Sequence, residues 1–256
     1  MSRISQLFKK KKERILNIYF TAGFPELDST LTLMKLLQEN GADMIELGMP
    51  YSDPLADGPV IQSSGSRALC NGMTIAKLFE QLKDFRKEID LPVVLMGYMN
   101  PILQFGFEKF CATCAVAGID GLILPDLPEH EYELEYEAIL KKYGLDFIFL
   151  VTPETSDARI RRLDAFSNGF LYAVSSSSIT GKDKDFEEVD KYLSRLRSMN
   201  LKNPVLVGFG IKDRLSFQSA CRHAAGAIIG TAFIRALENS ASLKESVKGF
   251  MDAVLK

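Results

Sequence analysis

Short apolar segments alternate with helical patterns eight times along this chain, and no other feature limits its possible folds so strongly. The predicted strands cover residues 15–20, 44–47, 93–96, 119–124, 147–151, 170–174, 205–207 and 227–229. Strands that are apolar on both faces need helices packed outside them, which favours a parallel sheet. Eight such units in about 250 residues fit a closed (β/α)8 TIM barrel of the α/β class.

An open doubly wound sheet is the alternative fold. Its usual sign, G-x-G-x-x-G after the first strand, is absent, because Gly23 stands alone there. We also expect a short leading helix at residues 2–8 and a short extra helix at residues 231–237, after strand eight. Since no charged linker or low-complexity segment interrupts the pattern, residues 1–256 are expected to form a single barrel domain.

Three residues mark the ends of two predicted helices. Asp28 is placed to cap a helix that runs to residue 40, and Gly41 is placed to end it. Thr74 is placed to cap a helix whose apolar positions continue to residue 85.

Composition excludes several classes of protein. The formal net charge of −2 argues against a nucleic-acid-binding surface, and no apolar run reaches the roughly 18–20 residues that span a bilayer. Without a signal-peptide pattern, we expect a cytoplasmic protein. Cys111 and Cys114 have C-x-x-C spacing within a helical pattern but no second pair nearby, which favours buried free thiols over a metal site. No metal is expected.

The segment at residues 43–62, DMIELGMPYSDPLADGPVIQ, carries the predicted chemistry. Glu46 interrupts an apolar strand, and Asp57 lies in the proline- and glycine-rich loop that follows. A buried strand rarely tolerates an unpaired carboxylate, so the two acids are interpreted as an acid–base pair. The alternative is a strand end followed by a solvated turn.

In a (β/α)8 barrel the site lies at the carboxyl ends of the strands. Gly208 and Gly210 follow strand seven, and Gly230 and Thr231 follow strand eight. Barrels of this kind often bind phosphate there through backbone N–H groups at the start of a short helix. The alternative is a pair of tight strand-to-helix turns.

Apolar and aromatic side chains are predicted to line a slot between the acids and the phosphate site. They are Tyr19, Ile61, Met96, Ile123, Tyr172 and Phe209. The polar loop at residues 175–185 is interpreted as a mobile lid. Such a slot suits a ligand with an aromatic ring, a short polyol linker and a phosphate.

Several of these stretches resemble the tryptophan synthase alpha chain family. The resemblance is carried by ELGMPYSDPLADGP, FTAGFP, GYMNPI, LPDLP, SSSSITG and VGFGI, and so covers essentially the whole chain. It implies a lyase that cleaves indole-3-glycerol phosphate to indole and glyceraldehyde 3-phosphate by a retro-aldol reaction, in tryptophan biosynthesis.

The resemblance also implies roles for individual residues. Glu46 would be the acid–base group, Asp57 would meet the indole nitrogen, and Tyr172 would lie beside Glu46. The phosphate positions would be Gly181, Gly210, Gly230 and Thr231, the last commonly serine in the family. Thr180 is retained in the lid, whereas Ser178 replaces the usual glycine, so lid geometry departs from the family pattern.

Family members work as α2β2 heterotetramers with a beta chain that holds pyridoxal phosphate, so no cofactor is expected in this chain. The partner surface would use residues 50–53 and 100–105. Two alternatives stay open: a stand-alone lyase that releases free indole, and a non-catalytic subunit that regulates the beta chain.

Overall fold

The computed structural model describes residues 2–174, 183–208, 210–238 and 242–256, and for residues 183–187 the backbone alone. This part of the chain forms nine parallel strands in one sheet, in the order β5-β4-β3-β2-β1-β9-β8-β7-β6. The strands are β1 (Ile15–Thr21), β2 (Met44–Gly48), β3 (Val93–Met96), β4 (Gly121–Ile123), β5 (Asp146–Phe147), β6 (Leu150–Val151), β7 (Leu171–Val174), β8 (Val205–Gly208) and β9 (Gly226–Ile229).

The two strands at the ends of this order belong to one extended segment, residues 146–151. Between them, Ile148 N–H donates to the Leu122 carbonyl at 3.0 Å, and the Phe149 carbonyl accepts from Tyr172 N–H at 3.0 Å. The segment therefore pairs with β4 on one side and β7 on the other, which closes the sheet into a barrel. The predicted (β/α)8 architecture is confirmed, with predicted strand five split into two short pieces.

Helices connect the strands on the outside. They are α1 (Arg3–Lys10), α2 (Ser29–Glu39), α3 (Pro59–Cys70), α4 (Ile75–Gln81), α5 (Met99–Phe105), α6 (Phe107–Ala117), α7 (Glu129–Glu131), α8 (Glu137–Tyr143), α9 (Asp157–Phe166), α10 (Asp183–Ser198), α11 (Arg214–Ala220), α12 (Thr231–Glu238) and α13 (Leu243–Leu255). A 3-10 turn covers Phe85–Lys87, and a π-helical turn covers Tyr132–Tyr136 between α7 and α8. No helix of the described residues is long and apolar enough to cross a membrane.

Most predicted helix ends agree with the structure, and the differences concern Asp28, the end of α4 and two further helices. Thr74 caps α4 by accepting from Lys77 N–H at 3.0 Å. Asp28 occupies the N-cap position of α2 but makes no capping bond, because its backbone (φ −92°, ψ 9°) is not in the extended conformation that capping uses. Its carboxylate accepts from the Gln81 side chain at 3.3 Å. The helix predicted to reach residue 85 ends at Gln81. Helices α3 and α5 were not predicted.

Alternate residues of the strands face two different apolar clusters. The inner cluster fills the barrel and includes Ile15, Tyr19, Met44, Val94 and Ile123. Their sequence neighbours join a larger outer cluster with the helices. Because side chains alternate along a strand, a residue two positions from an inner-cluster residue also faces the barrel interior.

Helix α1 lies across the amino ends of the strands and forms the floor of the barrel. Ile4 is fully buried in the inner cluster, and the Phe8 and Phe170 ring centroids are 6.2 Å apart. Arg3 forms an ion pair at 3.0 Å with buried Asp120, which precedes β4. The predicted leading helix is thus an anchored part of the core.

Candidate active site

Glu46 is buried inside the barrel near the carboxyl end of β2. It pairs in register with Tyr19 on β1 and Val94 on β3, and it lies two residues beyond the inward-facing Met44. The residue is only 1% exposed. Burial disfavours the charged form and raises the pKa of Glu46 to about 8. At neutral pH this carboxyl group is therefore mainly protonated.

The contact that holds Glu46 comes from Asn17, which sequence reasoning missed. Asn17 Nδ2 donates to Glu46 Oε2 at 3.1 Å within the closed core. The other oxygens of the pair, Glu46 Oε1 and Asn17 Oδ1, are buried and have no hydrogen-bond partner. The signal available in the sequence was a lone amide within the apolar run ILNIYF of β1.

Asp57 lies in the loop between β2 and α3 and is held by Tyr98, another residue without a predicted role. The Tyr98 hydroxyl accepts from Ala56 N–H at 3.1 Å and donates to the Asp57 carboxylate. Partial burial raises the pKa of Asp57 to about 6, against the lowering effect of the tyrosine bond. The loop is thus clamped beside its acid, which is mainly ionised at neutral pH.

The two acids, Glu46 and Asp57, interact electrostatically. The charge of Asp57 contributes to the raised pKa of Glu46, and burial together with both acids raises the pKa of Tyr19. Burial, then the same two acids and Tyr19, raises the pKa of Tyr172. The structure therefore brings these four residues together and gives the two carboxyl groups different protonation states near neutral pH, as acid–base catalysis requires.

Two tyrosine rings connect this acid pair to the glycines of strands β8 and β9. A Cβ atom on Gly208 would overlap the Tyr172 hydroxyl, and one on Gly230 would lie 3.1 Å from Tyr19 Cδ1. Gly48, at the end of β2, leaves room for the Tyr19 hydroxyl in the same way. Glycine at these positions makes space for the aromatic walls of the site.

The register places the predicted phosphate residues next to the acids. Ile18 of β1 pairs with Ile229 of β9, so Gly230 lies one step beyond, level with Tyr19 and Glu46. Thr231 follows as the exposed first residue of α12. A helix start offers unpaired N–H groups to an anion.

Gly210 lies two residues beyond the end of β8. Its φ of 69° is a left-handed conformation that favours glycine, so its backbone path depends on this residue type.

The remaining predicted apolar residues share the inner cluster. Ile61 belongs to the first turn of α3, while Met96 and Ile123 end β3 and β4 in register with each other. Thr180, Gly181 and Phe209 lie outside the described residues, as does most of the predicted lid. Among the described residues, no group of three or more His, Cys, Asp or Glu side chains is arranged to hold a metal ion.

A surface next to the site, formed by Tyr51, Leu55, Asn100 and Leu103, joins the two segments predicted to meet a partner. Asn100 Nδ2 donates to the Tyr51 hydroxyl at 2.8 Å, and the Tyr51 and Tyr98 ring centroids are 5.5 Å apart. Leu55 is 95% exposed and Leu103 is 49% exposed. This surface therefore presents apolar side chains to solvent directly beside the loop that carries Asp57.

The cysteines have no disulfide. All four are free thiols, and Cys111 and Cys114 are buried in α6, as predicted. Burial raises the pKa of both thiols, which keeps them protonated and unreactive.

Known proteins match the chain over nearly its whole length. A family model described as tryptophan synthase alpha chain matches residues 5–254. The tryptophan synthase alpha chain of Parabacteroides distasonis is 49% identical over 255 residues, covering 99% of each chain. That of Flavobacterium johnsoniae is 53% identical over 245 residues, covering 95% of this chain and 96% of the relative.

Solved structures agree with the sequence matches. Tryptophan synthase subunit alpha from Legionella pneumophila str. Paris has a TM-score of 0.90 at 34% identity, covering 99% of this chain and 97% of that one. A chain of tryptophan synthase from M. tuberculosis in its aminoacrylate-bound form has a TM-score of 0.86 at 29% identity, covering 99% and 100%. With its buried acid, closed barrel and full-length matches, this chain belongs to the tryptophan synthase alpha chain family.

Proposed function

We propose that this protein is a lyase that cleaves indole-3-glycerol phosphate to indole and glyceraldehyde 3-phosphate. The observation that carries the proposal is the buried Glu46 carboxyl group, which has one unpartnered oxygen and faces the same space as Asp57. A buried acid with an unpartnered oxygen destabilises a fold, which supports a functional role for it.

The protonation states of the two acids fit the steps of the cleavage. Glu46, mainly protonated at neutral pH, delivers its proton to C3 of the indole ring. The bond between C3 and the side-chain carbon then breaks, and its electron pair returns to the ring. The hydroxyl proton passes to the Glu46 carboxylate as the aldehyde forms, so the acid is regenerated and no net proton is consumed.

Asp57 acts on the nitrogen of the same ring. Mainly ionised at neutral pH, its carboxylate accepts the indole N–H and stabilises the positive charge that develops on the ring nitrogen. Tyr98 holds this carboxylate in place.

The substrate's two ends bind to different parts of the barrel mouth. Backbone N–H groups at Gly181, Gly208, Gly210 and Gly230 and the hydroxyl of Thr231 bind the phosphate. The indole ring and linker contact Tyr19, Ile61, Met96, Ile123, Tyr172, Thr180 and Phe209. Gly230 and Glu46 lie in register with Tyr19, on either side of β1. This register supports a single ligand that reaches both.

The chain acts as the alpha subunit of an α2β2 complex with a tryptophan synthase beta chain, in tryptophan biosynthesis. The exposed Leu55 and Leu103, beside the Tyr51–Asn100 bond, support the docking of a protein partner on this surface. This chain needs no cofactor, and pyridoxal phosphate belongs to the beta chain. We also infer one barrel domain and, from the four free thiols, a cytoplasmic location.

The decisive experiment measures indole release from indole-3-glycerol phosphate by the wild type and by Glu46→Gln. We expect Glu46→Gln to abolish cleavage while still binding glycerol 3-phosphate, because the amide cannot exchange protons. The exposed Glu13→Gln makes the same chemical change away from the site and should retain full turnover. Near-normal turnover of Glu46→Gln would remove the assigned role.

The same assay separates the two alternatives. Strong indole release without a beta chain would favour a stand-alone lyase. A wild-type chain that raises beta-chain activity but releases no indole would favour a regulatory subunit.

A further inference from the structure

Asn17 is a polar residue where the fold asks for an apolar one. It is fully buried on β1, between inner-cluster residues Ile15 and Tyr19, and it pairs in register with Met44 on β2 and Ile228 on β9. Its Oδ1 has no hydrogen-bond partner. Burying an amide with one unsatisfied oxygen is costly, and a β-branched apolar residue would suit this strand better. Packing alone does not explain this amide.

The contact made by Asn17 is specific. Its Nδ2 lies 3.1 Å from Glu46 Oε2, a bond between neighbouring strands within the closed core. One carboxyl oxygen is therefore tied down, whereas Oε1 is buried without a partner. A hydrogen bond to one oxygen fixes the side-chain torsions and decides which oxygen stays available.

We infer that Asn17 is a positioning residue for the lyase reaction: it ties Glu46 Oε2 to β1 and so presents Oε1 as the oxygen that exchanges protons with substrate. The inference rests on the proposed acid–base role of Glu46. It adds a residue of β1 to the two acids, which belong to β2 and to the loop that follows it.

The electrostatic effect of Asn17 opposes that of burial. An amide N–H stabilises the ionised carboxylate, so the bond lowers the pKa of Glu46 from the level that burial alone would impose. The other titratable groups that face Glu46 are Asp57, which raises the pKa, and the phenols of Tyr19 and Tyr172, which stay neutral. Among the described groups, Asn17 alone works in the lowering direction.

The test is Asn17→Val in the full-length protein with its beta chain, measured as kcat and KM for indole-3-glycerol phosphate across pH. We expect kcat to fall about tenfold or more with little change in KM, because the acid is no longer held in position. The pH inflection that belongs to Glu46 should move up by about one unit, since a bond to the ionised form is lost. The melting temperature should change little, because the variant removes the unpartnered Asn17 Oδ1 but leaves Glu46 Oε2 without its partner.

Infrared spectroscopy gives a readout that is independent of turnover. The carbonyl band of the protonated Glu46 carboxyl group is assigned by its loss in Glu46→Gln, and its titration is followed in the wild type and in Asn17→Val. We expect the band to persist to higher pH in Asn17→Val.

Asn17→Asp supplies a variant of the same shape as the native residue. It replaces the donor with a second carboxyl group, so the pair should titrate jointly and hold its proton to still higher pH. If neither variant moved the inflection or the band, or if kcat kept its wild-type value, the positioning role would be overturned. Turnover by Glu46→Gln would instead overturn the proposed function itself, so the two failures are distinguishable.

Discussion

Replacing Glu46 by glutamine should stabilise the protein, and the gain should grow with pH. The native carboxyl group has a pKa of about 8 in the folded protein, against an ordinary value of 4.5. Between these values the unfolded chain has released the proton while the folded chain still holds it. The folded state therefore loses stability as pH rises through this window. Glutamine stays neutral in both states and carries no such dependence.

The magnitude follows from the width of that window. From 4.5 to about 8 is roughly 3.5 pH units, and each unit corresponds to about 1.4 kcal/mol. The wild type should therefore lose roughly 3 kcal/mol by neutral pH and roughly 4 to 5 kcal/mol above about pH 8, relative to acid pH, from this one group. Because Glu46 lies in the closed core, solvent screening reduces the effect little.

The assay is urea unfolding of the wild type and Glu46→Gln at several values from about pH 5 to about pH 8. The difference in unfolding free energy should be small at the acid end and should rise steadily. Asp57 also titrates in this range, but it is present in both proteins and largely cancels in the difference. A difference that stays constant with pH would refute the raised pKa of Glu46.

Three further changes test other parts of the site and core. Tyr98→Phe removes the hydroxyl that donates to Asp57, so the pKa of Asp57 should rise further and kcat/KM near neutral pH should fall about tenfold, measured as a pH–rate profile. Gly230→Ala places a methyl group 3.1 Å from the Tyr19 ring and crowds the proposed phosphate site. Calorimetry should therefore show weaker binding of glycerol 3-phosphate. Asp120→Ala leaves the largely buried Arg86 guanidinium without its ion pair and should cost roughly 3 kcal/mol in urea unfolding.

Each of these has an outcome that would contradict it. Tyr143→Phe removes a phenol that bonds Glu108 on the protein exterior and should leave the pH–rate profile unchanged; equal effects of both tyrosine variants would deny Tyr98 its role. Unaltered affinity in Gly230→Ala would exclude that glycine from the phosphate site. Wild-type stability of Asp120→Ala would mean that the ion pair below β4 contributes nothing.

The sequence predicted the elements whose signals are local. Thr74 caps its helix because the bond reaches only three residues along the chain. Asp28 makes no capping bond, and its carboxylate accepts instead from Gln81, which is remote in sequence. Helix α3 was missed although Pro59 stands at its first turn, where proline is favoured. Strand five was predicted as one piece, and its split follows from pairing with two different neighbours.

The site residues also divide into those with a local sequence signal and those that depend on long-range contacts. Glu46 stood out because a carboxylate in an apolar strand is visible in one segment. Asn17 and Tyr98 act through bonds to residues 29 and 42 positions away, which no periodicity reveals. The catalytic and binding roles of all these residues stay predictions, and Thr180, Gly181 and Phe209 lie outside the described residues.

Helix α1 determines from which end of the barrel a small molecule can reach Glu46. Because Ile4 packs beneath the inner cluster, the barrel is closed at the amino ends of its strands. We infer that the substrate enters and the product leaves at the carboxyl ends of the strands. This end of the barrel is next to the surface formed by Tyr51, Leu55, Asn100 and Leu103. Shortening the chain by its first ten residues would expose the lower side of the inner cluster, including Phe170, to water.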